Sequence, residues 1–255
     1  MIFCDSHSHL YLKEFDADRA ETVERSNQAG VKYIFLPNVD EASINPMYSL
    51  CDAFPNTCFP ILGLHPCSVR ENYKDQLSAI FNGINEKRAV AVGEIGIDLF
   101  WDKTYLEEQK KALIIQLEKA VELDLPVVIH TRESFEQTYT IINDFKGIRG
   151  VYHCFSGDLK QAEMALAQGF YLGIGGVVTY KNAAILHEVA KEMPLERMVL
   201  ESDAPYLTPA PFRGQRNESA YVIHTAKRIA ELRCISLEAL ANQTTQNTLD
   251  LFKMA

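Results

Sequence analysis

The sequence alternates short runs rich in β-branched residues with longer amphipathic segments, and this alternation constrains the fold more than any other feature. Eight runs are predicted strands: residues 2–5, 33–36, 58–63, 89–94, 126–130, 150–154, 170–174 and 197–201. Helical periodicity is found at residues 17–29, 104–123, 134–145, 158–168, 181–192, 220–232 and 236–252. Strand alternating with helix gives a closed parallel barrel or a doubly wound open sheet. Eight strands in 255 residues favour the barrel, an α/β fold of the (β/α)8 TIM type.

The chain is expected to form a single domain over residues 1–255, because no linker-like tract or strong internal repeat divides it. No run approaches the roughly 18 uncharged apolar residues needed to cross a bilayer, so no membrane association is predicted. A charged residue at Asp5 argues against a signal peptide. The six cysteines are scattered without a Cys-x-x-Cys pair, which favours reduced thiols and a cytoplasmic protein.

The formal net charge of −9 bears on the choice of substrate. A surface of this sign repels polyanions and argues against tight non-specific binding to duplex nucleic acid. It leaves open a nucleic-acid substrate that is held at one local cationic site.

Histidines and carboxylates are concentrated where the predicted strands end, which is where barrel enzymes build their active sites. Five of the seven histidines lie there, and the candidate ligands are His7, His9, Glu94, His130, His153 and Asp203, with His65 after the third strand. Each residue alone is often structural, but their shared placement indicates a metal site. His187 and His224, within outer helices, are expected to be structural.

Imidazole and carboxylate ligands without a thiolate suit Zn²⁺, Mn²⁺, Ni²⁺ or Fe²⁺, and carboxylates with water suit Mg²⁺. Four histidines and two carboxylates exceed what one catalytic cation needs while keeping an open position. They fit two divalent metal ions about 3.5–4 Å apart that share a bridging carboxylate.

Seven ordered motifs along nearly the whole chain resemble the TatD family of metal-dependent deoxyribonucleases, within the amidohydrolase superfamily. They are the segments DSHSHL (5–10), GLHP (63–66), GEIGID (93–98), PVVIHTR (126–132), HCFSG (153–157), ESDAPYL (201–207) and RGQRNE (213–218). The resemblance implies a (β/α)8 barrel, divalent metal dependence and hydrolysis of DNA phosphodiesters. It also implies that His7, His9, Glu94 and Asp203 hold one metal, and that Glu94, His130 and His153 hold the other. His65 resembles the family's histidine that faces the substrate phosphate.

Further residues near the predicted pocket are assigned roles as hypotheses. Asp203 would orient the attacking water and accept its proton, and Arg132 would clamp the phosphate. Arg213 and Arg216 are either substrate contacts at the rim or ordinary salt-bridged surface arginines. Asp98 and Glu201 would orient a metal-bound histidine or Arg132 from behind.

The chain departs from the family's pattern at several positions near the site. Serines stand at positions 6 and 8, where the family often has Thr and Cys, and Ser202 stands where threonine is usual. Leu99 and Phe100 replace a commonly found tyrosine hydroxyl after Asp98, and Ser219 stands where proline often follows the Asn-Glu pair. The missing tyrosine is expected to alter contacts to the substrate.

The sequence thus predicts a monomeric, metal-dependent DNA phosphodiesterase, a TatD-type 3'-5' exonuclease acting on single strands or strand ends, with Glu94 and Asp203 as its catalytic carboxylates. The alternatives are a hydrolase of carboxylic esters, lactones or amides, including an aminoacyl-tRNA deacylase, and a metal-binding scaffold without activity. The sequence does not determine the identity of the metal or the choice between exonuclease and endonuclease action.

Overall fold

The computed structural model describes residues 1–86 and 89–254 and contains one sheet of eight parallel strands in the order β1 to β8. The strands are β1 (Phe3–Asp5), β2 (Val31–Pro37), β3 (Cys58–Leu62), β4 (Ala91–Asp98), β5 (Val127–Arg132), β6 (Gly150–Tyr152), β7 (Tyr171–Ile174) and β8 (Met198–Leu200). Each strand pairs with the next one along the chain.

Backbone hydrogen bonds link the residues after β1 to the end of β8 and to the residues that follow it, and so bring the two ends of the sheet together. Ser6 N donates to Leu200 O at 2.9 Å, and Asp203 N donates to His7 O at 2.9 Å. Ser8 and Ala204 form a parallel bridge between the same two segments. The expected (β/α)8 barrel is therefore confirmed, and its seam lies beside three of the predicted ligands.

The strands are covered by helices on the outside of the barrel. In the described part of the chain these are α1 (Arg19–Gln28), α2 (Ile44–Ala53), α3 (Tyr73–Glu86), α4 (Leu106–Glu122), α5 (Phe135–Asn143), α6 (Leu159–Ala167), α7 (Ala184–Glu192), α8 (Val222–Arg233) and α9 (Leu237–Phe252). Short 3-10 helices lie at Lys13–Phe15, Glu41–Ser43, Pro66–Ser68, Gly176–Thr179, Leu195–Arg197 and Ser219–Tyr221.

Apolar side chains fill both faces of the strands, as expected for a parallel sheet that is covered on the outside and closed on itself. The larger cluster lies between strands and helices. A smaller one consists of Phe35, Ile61, Ala91, Val128, Val151, Val199 and the end of α9, with the rings of Phe35 and Phe252 stacked at 4.0 Å. This inner cluster closes the bottom of the barrel, so polar chemistry is confined to the opposite end.

The strand period places the ligand side chains at that opposite end. Side chains alternate between the two faces of a strand, so His130 and His153 share the inward face with Val128 and Val151, two residues earlier. Regular alternation from the inward-facing Ala91 would turn Glu94 outward. The β4–β5 pairing, however, shifts register between Gly93 and Ile95. A bulge of this kind re-aims a side chain, and it accounts for the inward direction of Glu94.

Some predicted boundaries were wrong. β4 and β5 continue to Asp98 and Arg132, beyond the predicted ends at 94 and 130, so Glu94 and His130 lie within strands. β6 and β8 stop earlier than predicted, and His153 and Asp203 lie in the loops that follow. The helices α2 and α3 were not predicted from the sequence.

All six cysteine thiols are free. Among residues 1–86 and 89–254, no helix has both the length and the apolar composition needed to cross a membrane.

Candidate metal centre

Two histidines from the end of β1 form one side of the centre. The Nε2 atoms of His7 and His9 lie 3.2 Å apart. The ring of His9 is fixed from behind, because its Nδ1 lies 3.1 Å from the carbonyl oxygen of Pro37. A carbonyl oxygen only accepts, so Nδ1 carries the ring proton and Nε2 turns a lone pair toward the barrel mouth.

Glu94 lies at the middle of the centre and is only 3% exposed. Five imidazole nitrogens surround its two carboxylate oxygens. From Oε1 the distances are 2.6 Å to His130 Nδ1, 3.3 Å to His65 Nε2 and 3.7 Å to His153 Nε2, and from Oε2 they are 3.1 Å to His7 Nε2 and 3.9 Å to His9 Nε2. One carboxylate is therefore within reach of all the predicted histidine ligands, which is the arrangement that a bridging ligand requires.

Carboxylates behind His130 and His153 fix which ring nitrogen faces the centre. His130 Nε2 lies 2.9 Å from Asp98 Oδ2, so it donates there, and in the singly protonated ring the Nδ1 lone pair faces the centre. His153 Nδ1 lies 3.2 Å from Glu201 Oε1, a charge contact without full hydrogen-bond direction, and its Nε2 faces the centre. Asp98 and Glu201 therefore lie beside the rings of His130 and His153, and their orienting role stays a prediction.

The ring of His65 turns a protonated nitrogen toward the centre. Its Nδ1 accepts the backbone N–H of Cys67 at 3.0 Å, so the neutral ring carries its proton on Nε2. That Nε2–H points toward Glu94 Oε1, at 3.3 Å. His65 therefore offers a hydrogen-bond donor to the site, whereas His9, His130 and His153 offer lone pairs. A donor suits the predicted role of contacting a phosphate oxygen better than the role of a metal ligand.

Asp203 completes the seam side of the centre. Its Oδ1 lies 3.6 Å from His9 Nε2 and 3.9 Å from the Nε2 atoms of both His7 and His153. Ligand atoms within 4.8 Å of one another form the sets His7–His153–Asp203, His7–His9–Glu94 and His65–Glu94–His130.

The ring of His153 stacks on that of His7 at 3.4 Å. The family resemblance implied that His153 belongs with Glu94 and His130, but its ring lies close to the seam ligands as well. Glu94 and Asp203 are at similar distances from its Nε2.

Burial and mutual charge shift the pKa of nearly every group in the centre. Burial alone would raise the pKa of Glu94, but the surrounding histidines outweigh it and hold that pKa well below its usual range. Burial lowers the pKa of His9 to about 4 and raises the pKa of Asp203 to about 7. Burial opposes the charged form of His153, yet Glu201 and Glu94 raise its pKa to about 10.

These shifts describe a buried set of carboxylates compensated by protons on imidazoles. A cation can replace those protons, because its ligands are deprotonated imidazoles and carboxylates. The donor chemistry and the inward lone pairs therefore fit divalent metal ions.

Asp5 supports the site but was given no role from the sequence. Its buried carboxylate accepts from Ser202 N at 2.8 Å and Ser202 Oγ at 2.6 Å, and also from His7 N at 3.3 Å. It thereby ties the end of β1 to the end of β8 and positions His7 relative to Asp203. Asn217 adds a second tie, because its Nδ2 donates to Ser202 O at 2.7 Å.

Two glutamines on α4 were missed as well. Gln116 bonds both the N–H (2.6 Å) and the carbonyl (3.3 Å) of Leu64, beside His65, and Gln109 accepts from Asp98 N at 2.9 Å. Both are buried and share a helix face with Leu113. Polar residues in phase with an apolar stripe were the signal that could have identified them.

Gly96 accounts for the close approach of β4 to β5. Its φ is +150°, and a Cβ atom there would lie 1.9 Å from the carbonyl oxygen of His130. Any side chain would displace His130, so this position of the GEIGID motif requires glycine for steric reasons.

The predicted substrate-contacting arginines have different surroundings. The guanidinium of Arg132 lies over the ring of Phe100 at 3.8 Å, and that of Arg213 lies over Tyr180 at 4.1 Å. Arg216 makes a two-pronged ion pair with Asp18, at 2.7 and 2.8 Å. This pairing favours the surface salt-bridge interpretation for Arg216.

Two departures from the family's pattern are in contact. Ser219 Oγ lies 3.2 Å from Ser8 Oγ, and both side chains are buried at the seam of the barrel. Leu99 is also buried, whereas Phe100 is largely exposed, so the segment after Asp98 turns one side chain inward and the next one outward.

The fold and the ligand set together define a TIM-barrel metal-dependent hydrolase. A family model for TatD related DNases matches residues 4–253. The chain is 36% identical over 256 residues to YabD of Bacillus subtilis, an uncharacterized metal-dependent hydrolase, and the match covers 100% of both proteins. It is 30% identical over 254 residues to the 3'-5' ssDNA/RNA exonuclease TatD of Pectobacterium parmentieri, covering 97% of this chain and 98% of the relative.

A solved structure agrees with these sequence matches. The crystal structure of YjjV, a TatD homologue from Escherichia coli, superimposes with a TM-score of 0.92 at 31% identity and 98% coverage of each chain. The chain belongs to the TatD family.

Proposed function

We propose that the protein hydrolyses phosphodiester bonds in single-stranded DNA or at strand ends, using two divalent metal ions that share Glu94. The observation that carries the proposal is the position of this one carboxylate among histidines whose lone pairs face inward. His7, His9 and Asp203 would hold one ion, and His130 would hold the other, with His153 within reach of both groups.

Bound there, the two ions would lower the pKa of a shared water and polarise a phosphoryl oxygen. The chain itself supplies the remaining groups. Asp203 borders the seam ligands, where its Oδ1 can orient the attacking water and accept its proton. Asp98 and Glu201 hold the rings of His130 and His153 in the orientations described above.

His65 and Arg132 are the proposed phosphate contacts. The Nε2–H of His65 faces the centre, and Arg132 lies two residues beyond His130 on β5. Within the described residues the guanidinium of Arg132 lies over two ring faces and forms no ion pair with a carboxylate. Its N–H groups are therefore free for a phosphate, a charge-assisted bond of the strong kind.

Similarity supports a single strand and 3'-5' exonuclease action, because the relative from Pectobacterium parmentieri bears that description. The net charge of −9 agrees with a substrate held at local cationic groups rather than along an extended basic surface. We propose that the protein acts as a monomer in the cytoplasm.

The test is digestion of single-stranded DNA, labelled at either end, by the metal-reconstituted protein. We expect products shortened from the 3' end, and no products from His130→Ala. An RNA oligomer, an aminoacyl-tRNA and simple esters and lactones are assayed under the same metal. Turnover confined to the acyl substrates would refute phosphodiester hydrolysis in favour of the ester-hydrolase alternative.

A further inference from the structure

The loop after β4 exposes two aromatic rings next to the predicted metal centre. Phe100 is 47% exposed and Trp101 is 72% exposed. Trp101 is the single tryptophan of the chain. Exposed aromatic rings beside a site of this kind offer faces on which nucleic-acid bases can stack.

The carboxylate of Asp98 contacts both the loop that carries these rings and the predicted metal centre. Asp98 Oδ1 accepts the backbone N–H groups of Phe100 at 2.9 Å and Trp101 at 3.3 Å, while Oδ2 faces His130 Nε2 at 2.9 Å. The position of the two aromatic residues is therefore fixed relative to a predicted ligand, although their side chains are exposed.

Arg132 joins the two rings. Its guanidinium carbon lies 3.8 Å from the centre of the Phe100 ring and 5.3 Å from that of Trp101. The two rings meet edge to face, at 4.9 Å and 88°. A guanidinium that lies on a ring keeps its N–H edge free, so Arg132 can bind a phosphate while the rings remain open on their outer faces.

We infer that Phe100, Trp101 and Arg132 form a stacking ledge that holds one nucleobase of the substrate strand and its adjoining phosphate. The inference rests on the proposed phosphodiesterase function and specifies how the strand is positioned. Stacking on an aromatic ring accepts any base, because every base has a π-face. The ledge therefore selects unpaired nucleotides without selecting a sequence.

The surroundings favour a base over a protein partner. Asp102 and Lys103, which follow Trp101, are exposed charged residues, so the apolar surface is only two rings wide. A protein interface needs a broader buried centre. The ledge also belongs to the two strands that carry Glu94 and His130, because Phe100 and Trp101 follow β4 and Arg132 ends β5.

The test measures strand binding separately from hydrolysis. The metal-loaded protein is titrated with a dye-labelled, eight-residue oligothymidylate with phosphorothioate linkages, which resist cleavage. Anisotropy of the dye reports binding, and the emission of Trp101 reports stacking without ambiguity, because it is the only tryptophan. A strand of equal length and charge with abasic residues in place of the nucleotides is the matched probe.

We expect the thymidylate to quench Trp101 and to bind more tightly than the abasic strand. Trp101→Ala should weaken thymidylate binding by roughly 5- to 150-fold, the range for loss of one stacked base, and should leave abasic binding unchanged. Trp101→Phe should retain most of the affinity. Ile185→Ala, which removes an exposed apolar side chain on α7, is the control and should bind like the wild type.

Equal affinity for the two strands, or unchanged emission on a strand that binds, would overturn the ledge. If the thymidylate quenches Trp101 but the natural phosphodiester strand is not cleaved, the ledge stands and the proposed function is refuted. If Trp101→Ala cleaves DNA with the wild-type rate and KM, the proposed function stands and the ledge is refuted.

Discussion

Replacing Asp98 with Asn is an informative perturbation, because it changes one charge and almost no volume. Asp98 Oδ1 accepts two backbone N–H groups, from Phe100 and Trp101, and Oδ2 accepts the ring N–H of His130. An asparagine has one carbonyl oxygen, which the two backbone donors require. Its NH2 group must then face His130 Nε2.

The substitution should therefore reverse the tautomer of the neutral His130 ring. Facing a donor, Nε2 must accept, so the proton moves to Nδ1, which lies 2.6 Å from Glu94 Oε1. A protonated Nδ1 has no lone pair for a metal ion. To bind a metal ion, the ring must return its proton to Nε2 and lose the hydrogen bond from Nδ1–H to the charged Glu94. This loss costs about 1.5–3 kcal/mol. This corresponds to a loss of about 10- to 150-fold in metal affinity.

Asp98→Ala should weaken metal binding less than Asp98→Asn, because water in the vacated space can accept the Nε2–H. Metal affinity is measured by competition with a chelator, and the tautomer is read from nitrogen-15 histidine NMR spectra of the metal-free protein. Asp102→Asn, at an exposed neighbour, is the control. Wild-type affinity in Asp98→Asn, or an Nε2–H tautomer in that variant, would refute the reasoning.

Two further predictions concern stability and protons. Arg216→Ala should destabilise the protein by about 0.5–1 kcal/mol, a fall in Tm of roughly 1–4 °C, with an unchanged KM for DNA; a raised KM at unchanged Tm would restore Arg216 as a substrate contact. Hydrogen bonds from Arg216 and Arg25 lower the pKa of Asp18, so the pair's contribution is present above the ordinary pKa of 3.8 and is lost as pH falls below it. The difference in Tm between the two proteins should therefore be smaller at pH 3 than at pH 7 without vanishing, because Asp18 is still ionised in the folded wild type at pH 3. Metal binding at pH 7 should release at least one proton, since Glu201 and Glu94 raise the pKa of His153 to about 10 in the metal-free chain. Calorimetry in buffers of different ionisation enthalpy measures that release, and a buffer-independent enthalpy would contradict it.

The strands were predictable because barrel strands are buried on both faces and read as apolar runs. α2 was not predicted, because Pro46 stands in its first turn and Asn45, Ser49 and Asp52 interrupt the apolar pattern. A proline is tolerated in the first turn, where its missing N–H has no helical partner. The helix is stabilised by packing Met47 and Leu50 on the core, which local periodicity cannot reveal.

The ligand types were readable because strand ends converge in a barrel, so local motifs are enough to nominate His7, His9 and His130. The inward direction of Glu94 was not readable, because it depends on a bulge in β4. The partner of Arg216 was equally hidden, since Asp18 lies 198 positions away along the chain. Contacts between distant segments are set by how the loops close, and no local pattern encodes them.

Measuring metal stoichiometry tests the central claim most directly. Native mass spectrometry of the reconstituted protein should find two divalent ions per wild-type chain. Glu94→Gln, which keeps the volume of the side chain and removes its charge, should bind at most one ion. One ion in the wild-type chain, or two held by Glu94→Gln with wild-type affinity, would contradict a two-metal site shared by Glu94.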